Sequence, residues 1–143
     1  MTGPRPAGSS VGGMKILLGA VLAALVVVAT ASAAPPPTEL VGKWTRTVTA
    51  SDVRRAHSTK IVPGKTWTLV ITQHGSRVST PGRVAWKGSV VPSNATQVHM
   101  ELGPHEGDLY DWRRSSGRLT LHARVDPVAD RAAVLSGTWK KSR

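Results

Sequence analysis

The residues best suited to bind a metal or to exchange protons fall in one stretch, His99-x-Glu101-x3-His105-Glu106-x-Asp108. Imidazole and carboxylate groups ligate transition metals and act as general acids and bases. In a β-strand His99 and Glu101 share a face, whereas His105, Glu106 and Asp108 belong to a turn with Gly and Pro. The stretch reproduces no zinc-ligand spacing, and the chain has no cysteine. We therefore expect solvated turn residues, with no metal and no cofactor.

Nucleophilic catalysis has no signature in this sequence. No Gly-x-Ser-x-Gly elbow occurs, and none of the five histidines stands in a pattern that marks a catalytic triad. Glu101 and Asp111 would form the carboxylate pair of a hydrolase only if the sheet brought them together. The interpretation is a protein without catalytic activity.

The aromatic residues are the second group with chemical potential. Five tryptophans and one tyrosine occur without any phenylalanine. Indole and phenol rings offer large apolar contact areas and one polar group each, which suits a ligand pocket and an ordinary core alike. The residues predicted to contact a ligand are Trp67, Trp86, Met100, Tyr110, Trp112 and Leu121.

Short alternating segments broken by Gly, Pro, Ser and Asn must position these residues, the pattern of an all-β sandwich or barrel. Two connections predict short helices: Ser51–His57, with Ser51 as the cap of a helix or lid, and Pro127–Arg131, with Asp126 as the cap. The predicted strands number eight and cover Gly42–Val48, Lys65–Gln73, Arg77–Thr80, Arg83–Val91, Thr96–Leu102, Leu109–Arg114, Arg118–Arg124 and Val134–Lys140.

The N-terminal residues 1–33 are predicted to be a cleaved secretory signal peptide. Arg5 and Lys15 precede the apolar run 16–28, and Ala31-Ser32-Ala33 supplies the small residues of a cleavage site. The apolar run falls short of the roughly 20 residues that cross a bilayer. Translation could start at Met1 or at Met14, and we expect a secreted or envelope-located product.

The remainder predicts a proline-rich lead at 34–40 and one β domain at 41–143. Removing residues 1–33 leaves 17 Lys and Arg against 8 Asp and Glu, so the mature part is strongly basic. Short basic clusters such as Arg113-Arg114 spread this charge over a solvated surface. Such charge favours anionic partners without specifying a fold. Without cysteine the domain has no disulfides, and its stability must come from the core.

The first predicted strand opens with Leu40-Val-Gly42-Lys-Trp44. This Gly-x-Trp motif resembles the opening of the lipocalins and the wider calycin barrels. The C-terminal third, from Tyr110-Asp-Trp112 to Trp139-Lys140, resembles bacterial lipocalin-like domains with the same opening, so that the resemblance covers residues 40–143.

The resemblance implies an eight-stranded, up-and-down, antiparallel barrel that Trp44 closes at one end, with a ligand cavity at the other. It also implies that an arginine near the final strand stacks on Trp44, with Arg131 and Arg143 as candidates. A barrel of short strands is either filled by its own side chains or holds one small ligand.

The predicted function is non-catalytic binding of one small apolar or amphiphilic ligand in the barrel. The alternative is a basic module that docks on an anionic envelope polymer or a partner protein. Export argues against nucleic acid as a partner, and no transmembrane span remains after cleavage. The ligand and the oligomeric state stay open.

Overall fold

The computed structural model describes residues 2–4, 8, 34–103, 105 and 107–143. The predicted signal peptide therefore lies outside the described residues except at 2–4 and 8. The chain divides into two compact units, Met1–Ala31 and Ser32–Arg143, and the helices and strands given below belong to the second. No helix among the described residues is both long enough and apolar enough to cross a membrane.

A closed antiparallel barrel forms the second unit, with the up-and-down strand order that the resemblance implies. Each strand pairs with the next, and β1 pairs with β8 through Trp44↔Lys141 and Thr45↔Lys140. The eight strands are β1 Gly42–Thr47, β2 Thr66–Thr72, β3 Gly75–Thr80, β4 Arg83–Asn94, β5 Gln97–Leu102, β6 Leu109–Ser115, β7 Arg118–Val125 and β8 Gly137–Lys141.

The two ends of the barrel differ in construction. The end called the base carries the three hairpins that join β2 to β3, β4 to β5 and β6 to β7, together with the turn Thr38–Leu40. The opposite end, called the mouth, carries two short helices, α1 (Ala50–Arg55) and α2 (Ala129–Leu135), and the loop 56–65. These connections are longer than the hairpins at the base, so they place more side chains where a binding site can form.

Alternation along each strand decides which side chains fill the interior. Trp67, Leu69 and Ile71 on β2 are buried, and the residues between them are half-buried or exposed. The same period-two pattern places Val98, Met100 and Leu102 inside β5. Large apolar side chains from all eight strands form one core.

Helix α1 begins two residues earlier than the sequence predicts. Its N-cap is Thr49 and not Ser51, because Thr49 and Asp52 form a capping box in which each side chain bonds the other residue's backbone. The helix ends after Arg55, and His57 then adopts a φ of 55° that turns the chain into the loop 56–65.

Helix α2 lies further along the chain than predicted and takes two residues from the predicted last strand. It spans Ala129–Leu135 in place of Pro127–Arg131, and β8 begins at Gly137 in place of Val134. Val134 and Leu135 are buried as helix residues. A short apolar run fits a buried helix face as well as a buried strand, so periodicity does not separate the two.

The motif at the start of β1 recurs at the start of β8 as Leu135-Ser-Gly137-Thr-Trp139. In both copies the tryptophan Nε1 donates to the carbonyl of the leucine four residues earlier, at 2.9 Å for Trp44 and 3.0 Å for Trp139. Both glycines have a φ of 150°, which residues with a Cβ rarely adopt. The two strands whose pairing closes the barrel, β1 and β8, therefore begin with the same local structure.

Candidate ligand-binding site at the barrel mouth

Two of the predicted ligand contacts meet at the mouth. Trp67 on β2 and Trp86 on β4 stack with ring centroids 5.8 Å apart and planes inclined by 13°. Trp67 is 6% exposed and Trp86 is half-buried, so the pair has one inner and one outer member. The indole Nε1 of Trp67 is buried without a hydrogen-bond partner among the described residues.

A pocket of about 390 Å³ opens beside this pair. Its apolar lining includes Ile61 and Val62 of the loop 56–65, together with Ala85 of β4. Val62 is 57% exposed and forms part of the apolar rim of the pocket. The pocket thus joins an aromatic wall to an apolar rim.

The polar lining of the same pocket is mostly cationic. Lys60, Lys65 and Arg83 line it, and all three are exposed. Asp130 is the acidic lining residue, and its Oδ1 already accepts a hydrogen bond of 2.6 Å from the Ser58 hydroxyl. Among the described residues none of the three cations forms an ion pair. The pocket therefore suits an anionic group.

The loop 56–65 that carries half of this lining is anchored at both ends. Gly64 donates a backbone hydrogen bond to Val48 at 2.8 Å, and Val48 donates to Lys65 at 3.1 Å. Ser58 links the loop to α2 through Asp130. These bonds hold the loop 56–65 in place beside the mouth.

The other predicted ligand contacts lie away from this pocket. Met100 and Tyr110 are 0% exposed and Leu121 is 1% exposed, and all three pack in the core. Trp112 on β6 is half-buried, and its Nε1 is a buried donor without a partner among the described residues. Ligand contact by these four residues stays a prediction.

A buried ionic cluster supports the mouth from within. Arg131 of α2 is 1% exposed and donates to both carboxylate oxygens of Asp126, the shortest contact being 2.8 Å. Its Nη1 donates to the carbonyls of Leu102 and His105. The Tyr110 hydroxyl donates to Asp126, and burial together with the Asp126 charge raises the pKa of Tyr110. The cluster therefore ties α2 to β5, β6 and β7.

Asp108 belongs to this cluster, which corrects the prediction of a solvated turn residue. Its side chain is 0% exposed, and Oδ2 lies 3.7 Å from Nη2 of Arg131. Neither carboxylate oxygen accepts a hydrogen bond from the described residues. Burial raises the pKa of Asp108 to about 6; the Arg131 charge opposes this rise and the Asp126 charge adds to it.

A second buried arginine links α1 to the segment just before β8. Arg46 of β1 bonds Asp52 at 2.6 Å and donates to the carbonyls of Val134 and Ser136. A Cβ on Gly137 would lie 2.3 Å from the Arg46 guanidinium, so a larger residue there would displace this guanidinium. Burial raises the pKa of Asp52, but hydrogen bonds from Thr49 and the Arg46 charge outweigh it and hold the pKa below its ordinary value.

The other candidate acid–base residues do not converge. His99 Nδ1 donates to the backbone carbonyl of Asp108. Asp111 pairs with Gln97, four residues along β5 from Glu101, which separates the two carboxylates by about 13 Å. In residues 34–103, 105 and 107–143 no three histidine or acidic side chains are placed to hold one metal ion.

At the base, Trp44 is fully buried and two cations contact its ring. The guanidinium of Arg114 lies 5.5 Å from the ring centroid and the Lys141 ammonium 5.8 Å from it. The expectation that Arg131 stacks on Trp44 is wrong, because Arg131 lies in the buried cluster at the mouth. Arg114 also donates to the Glu39 carbonyl at 3.2 Å, which joins the β6–β7 hairpin to the N-terminal turn.

We expect Arg114→Ala to lower the free energy of unfolding by about 0.5–1 kcal/mol, the range for an exposed cation on an aromatic ring. The measurement is urea unfolding followed by tryptophan fluorescence. Arg113→Ala is the matched control, because Arg113 is the exposed neighbour on the opposite face and should change stability by less than about 0.5 kcal/mol. Equal losses for the two variants would contradict a role for Arg114 in closing the base.

The sequence missed Lys60, Lys65 and Arg83 as site residues. Lys60 and Lys65 lie on the loop 56–65 and Arg83 begins β4, so they are separate in the sequence, and each looks like an ordinary surface cation. No family model, no curated protein and no solved structure matches this chain.

Proposed function

We propose that the protein binds one small amphiphilic anion at the barrel mouth and catalyses no reaction. The observation that carries this proposal is the stacked pair Trp67–Trp86 in one pocket with three cations that form no ion pair with a described residue. A flat apolar group would lie against the tryptophans, and the anionic group would face Lys60, Lys65 and Arg83.

The interior of the barrel supports a ligand at the mouth in preference to one deep inside. Trp44 and Trp139 are fully buried members of the core, and Arg46 and Arg131 are buried at the mouth, where they donate to the backbone carbonyls of Val134 and Leu102. An eight-stranded barrel is just wide enough for such side chains to fill it.

We also propose that the chain is a lipocalin-like barrel of the calycin type. The supporting features are the up-and-down order of eight strands and the Gly-x-Trp motif at the closed base. A cation on the motif's tryptophan supports it too, although it comes from Arg114 and Lys141. The position at the base is the one that the resemblance implies for Trp44.

Two fluorescent probes that differ by one charged group test the ligand proposal: 8-anilinonaphthalene-1-sulfonate and its uncharged parent, N-phenyl-1-naphthylamine. Trp86→Leu should weaken binding of both probes about tenfold, because an aromatic contact contributes about 0.5–1.5 kcal/mol beyond its area. Lys65→Ala/Arg83→Ala should weaken the sulfonate several-fold and leave the uncharged probe unchanged. Fluorescence titration of the full chain measures both.

Arg113→Ala/Arg118→Ala is the matched control for charge, because it removes two exposed cations that line a different face of the barrel. It should leave both probes unaffected. The proposal fails if the sulfonate weakens equally in the two double variants, or if Trp86→Leu binds both probes like the wild type.

A further inference from the structure

The outer wall formed by β1 to β4 carries a row of cations that the mouth does not use. Lys43, Val70, Arg77 and Lys87 lie directly opposite one another on successive strands. The three charged residues are exposed, and none of them forms an ion pair with a described residue. We call Lys43, Arg77, Lys87 and the hydroxyl residues Thr68, Thr72 and Ser79 the basic wall.

The arrangement within this row is unfavourable for the free protein. Arg77 and Lys87 are a directly opposed like-charge pair, and such pairs destabilise a sheet. Neighbouring strands lie about 4.8 Å apart, which also puts Lys43 within about 10 Å of Arg77. A cluster of like charges that locally destabilises a protein is commonly found at a functional site, such as a binding surface.

No acidic residue relieves this repulsion from within the same part of the chain. Between Asp52 and Glu101 the sequence contains no Asp or Glu. Glu101 is opposite Ser89 at the edge of the wall, two residues along β4 from Lys87, and it forms no ion pair within the described part of the chain. Three further acids, Asp52, Asp108 and Asp126, have buried side chains.

The surface of the wall has two shallow, open depressions that lie side by side. Their volumes are about 500 and 480 Å³, and Val70 and Arg77 line both. Lys87 lines one depression and Lys43 the other, and Thr68, Thr72 and Ser79 supply hydroxyl groups to the lining. Cations spaced among hydroxyls complement a polymer that carries anionic groups on a hydroxylated backbone.

We propose that the basic wall is a docking surface for a linear anionic glycan. The wall presents no aromatic ring for base stacking, which contributes about 1–3 kcal/mol per base in proteins that bind single-stranded nucleic acid. Hydroxyl groups and point charges serve a sulfated, phosphorylated or carboxylated sugar chain better. This site is separate from the mouth pocket, and its proposal does not depend on the small ligand.

Binding of fluorescein-labelled dextran sulfate to the full chain, followed by fluorescence polarisation at increasing salt, tests the wall. Arg77→Ala/Lys87→Ala should weaken binding about 30-fold, at roughly fivefold for each cation lost near an anionic surface. Uncharged dextran should not bind. The variant should unfold at the same temperature as the wild type or higher, because it removes a like-charge pair.

Arg113→Ala/Arg118→Ala changes the net charge equally and should weaken dextran sulfate less than threefold. If the two double variants lost the same affinity for dextran sulfate, net charge alone would explain the loss, and the basic wall would not be a specific site. Failure of the wild type to bind dextran sulfate would overturn the glycan. Tighter binding of a single-stranded oligodeoxythymidylate of matched charge, lost in Arg77→Ala/Lys87→Ala, would replace the glycan with nucleic acid.

Discussion

Replacing Arg131 with methionine should lower the free energy of unfolding by about 3–5 kcal/mol, the range for removing one partner of a buried ion pair. The side chain is 1% exposed and holds both oxygens of Asp126 and two backbone carbonyls. Without it, Asp126 and Asp108 are left as buried carboxylates with no cation. Urea unfolding by tryptophan fluorescence and by circular dichroism measures the change.

Arg124→Met is the matched control for this experiment. Arg124 also pairs with an aspartate, Asp111, but its side chain is 60% exposed. Exposed pairs contribute at most about 1 kcal/mol, so the control should lose less than that. Similar losses for the two variants would show that the buried cluster does not stabilise the fold.

A second variant separates the pair from the packing of the side chains. Arg131→Met leaves the buried Asp126 carboxylate without its cation, and Arg131→Met/Asp126→Asn removes that carboxylate charge as well. The double variant should therefore lose less free energy of unfolding than the two single variants lose together. Additive losses would mean that Arg131 acts through its backbone hydrogen bonds alone.

Replacing Asp108 with asparagine should stabilise the protein at neutral pH and leave it almost unchanged at pH 4. The pKa of Asp108 is about 6 in the folded protein, against an ordinary value of 3.8, so the folded state binds the proton more tightly than the unfolded state. The stabilising contribution of this group is therefore fully present below about pH 4 and is lost as the pH rises through 6. A rise of this size corresponds to about 3 kcal/mol.

Urea unfolding of the wild type and Asp108→Asn from pH 4 to pH 8 measures this effect. The difference between their free energies of unfolding should grow across the interval from 4 to 6 and stay constant above about 7. Asp52, which is not among the groups that act on Asp108, is common to both proteins and cancels in that difference. A difference independent of pH would show that Asp108 does not titrate in this range.

Arg131→Met probes the mouth as well as the fold. Arg131 belongs to the helix whose Asp130 bonds Ser58 of the loop 56–65. If Arg131→Met remains folded at low temperature, weaker binding of the sulfonate probe would link the buried cluster to the pocket. Unchanged binding would confine the cluster to a structural role.

The eight strands were predictable from the sequence because strand alternation is local, whereas the closed barrel was implied only by the resemblance to lipocalins. Trp67, Leu69 and Ile71 report which face of one strand is buried without any knowledge of its neighbours. The turns between strands are equally local, and all eight strands were found. The boundary at Val134 was wrong because four apolar residues before Ser136 fit a short helix or a strand.

The sequence also contains a repeated motif that marks the start of the last strand. Leu135-Ser-Gly137-Thr-Trp139 repeats the spacing of Leu40-Val-Gly42-Lys-Trp44, and the structure gives both copies the same hydrogen bond. The spacing shows where the last strand begins, since the glycine opens the strand in both copies.

By itself, the sequence determined an all-β chain of eight strands with a basic composition and the two tryptophans that meet at the mouth. Only the tertiary structure decided that Asp108 is buried beside Arg131, that Arg114 covers Trp44, and that Arg83 joins Lys60 and Lys65. The physical reason is that alternation follows from the backbone geometry of single residues, whereas these pairings arise when the barrel closes and its register brings distant segments together.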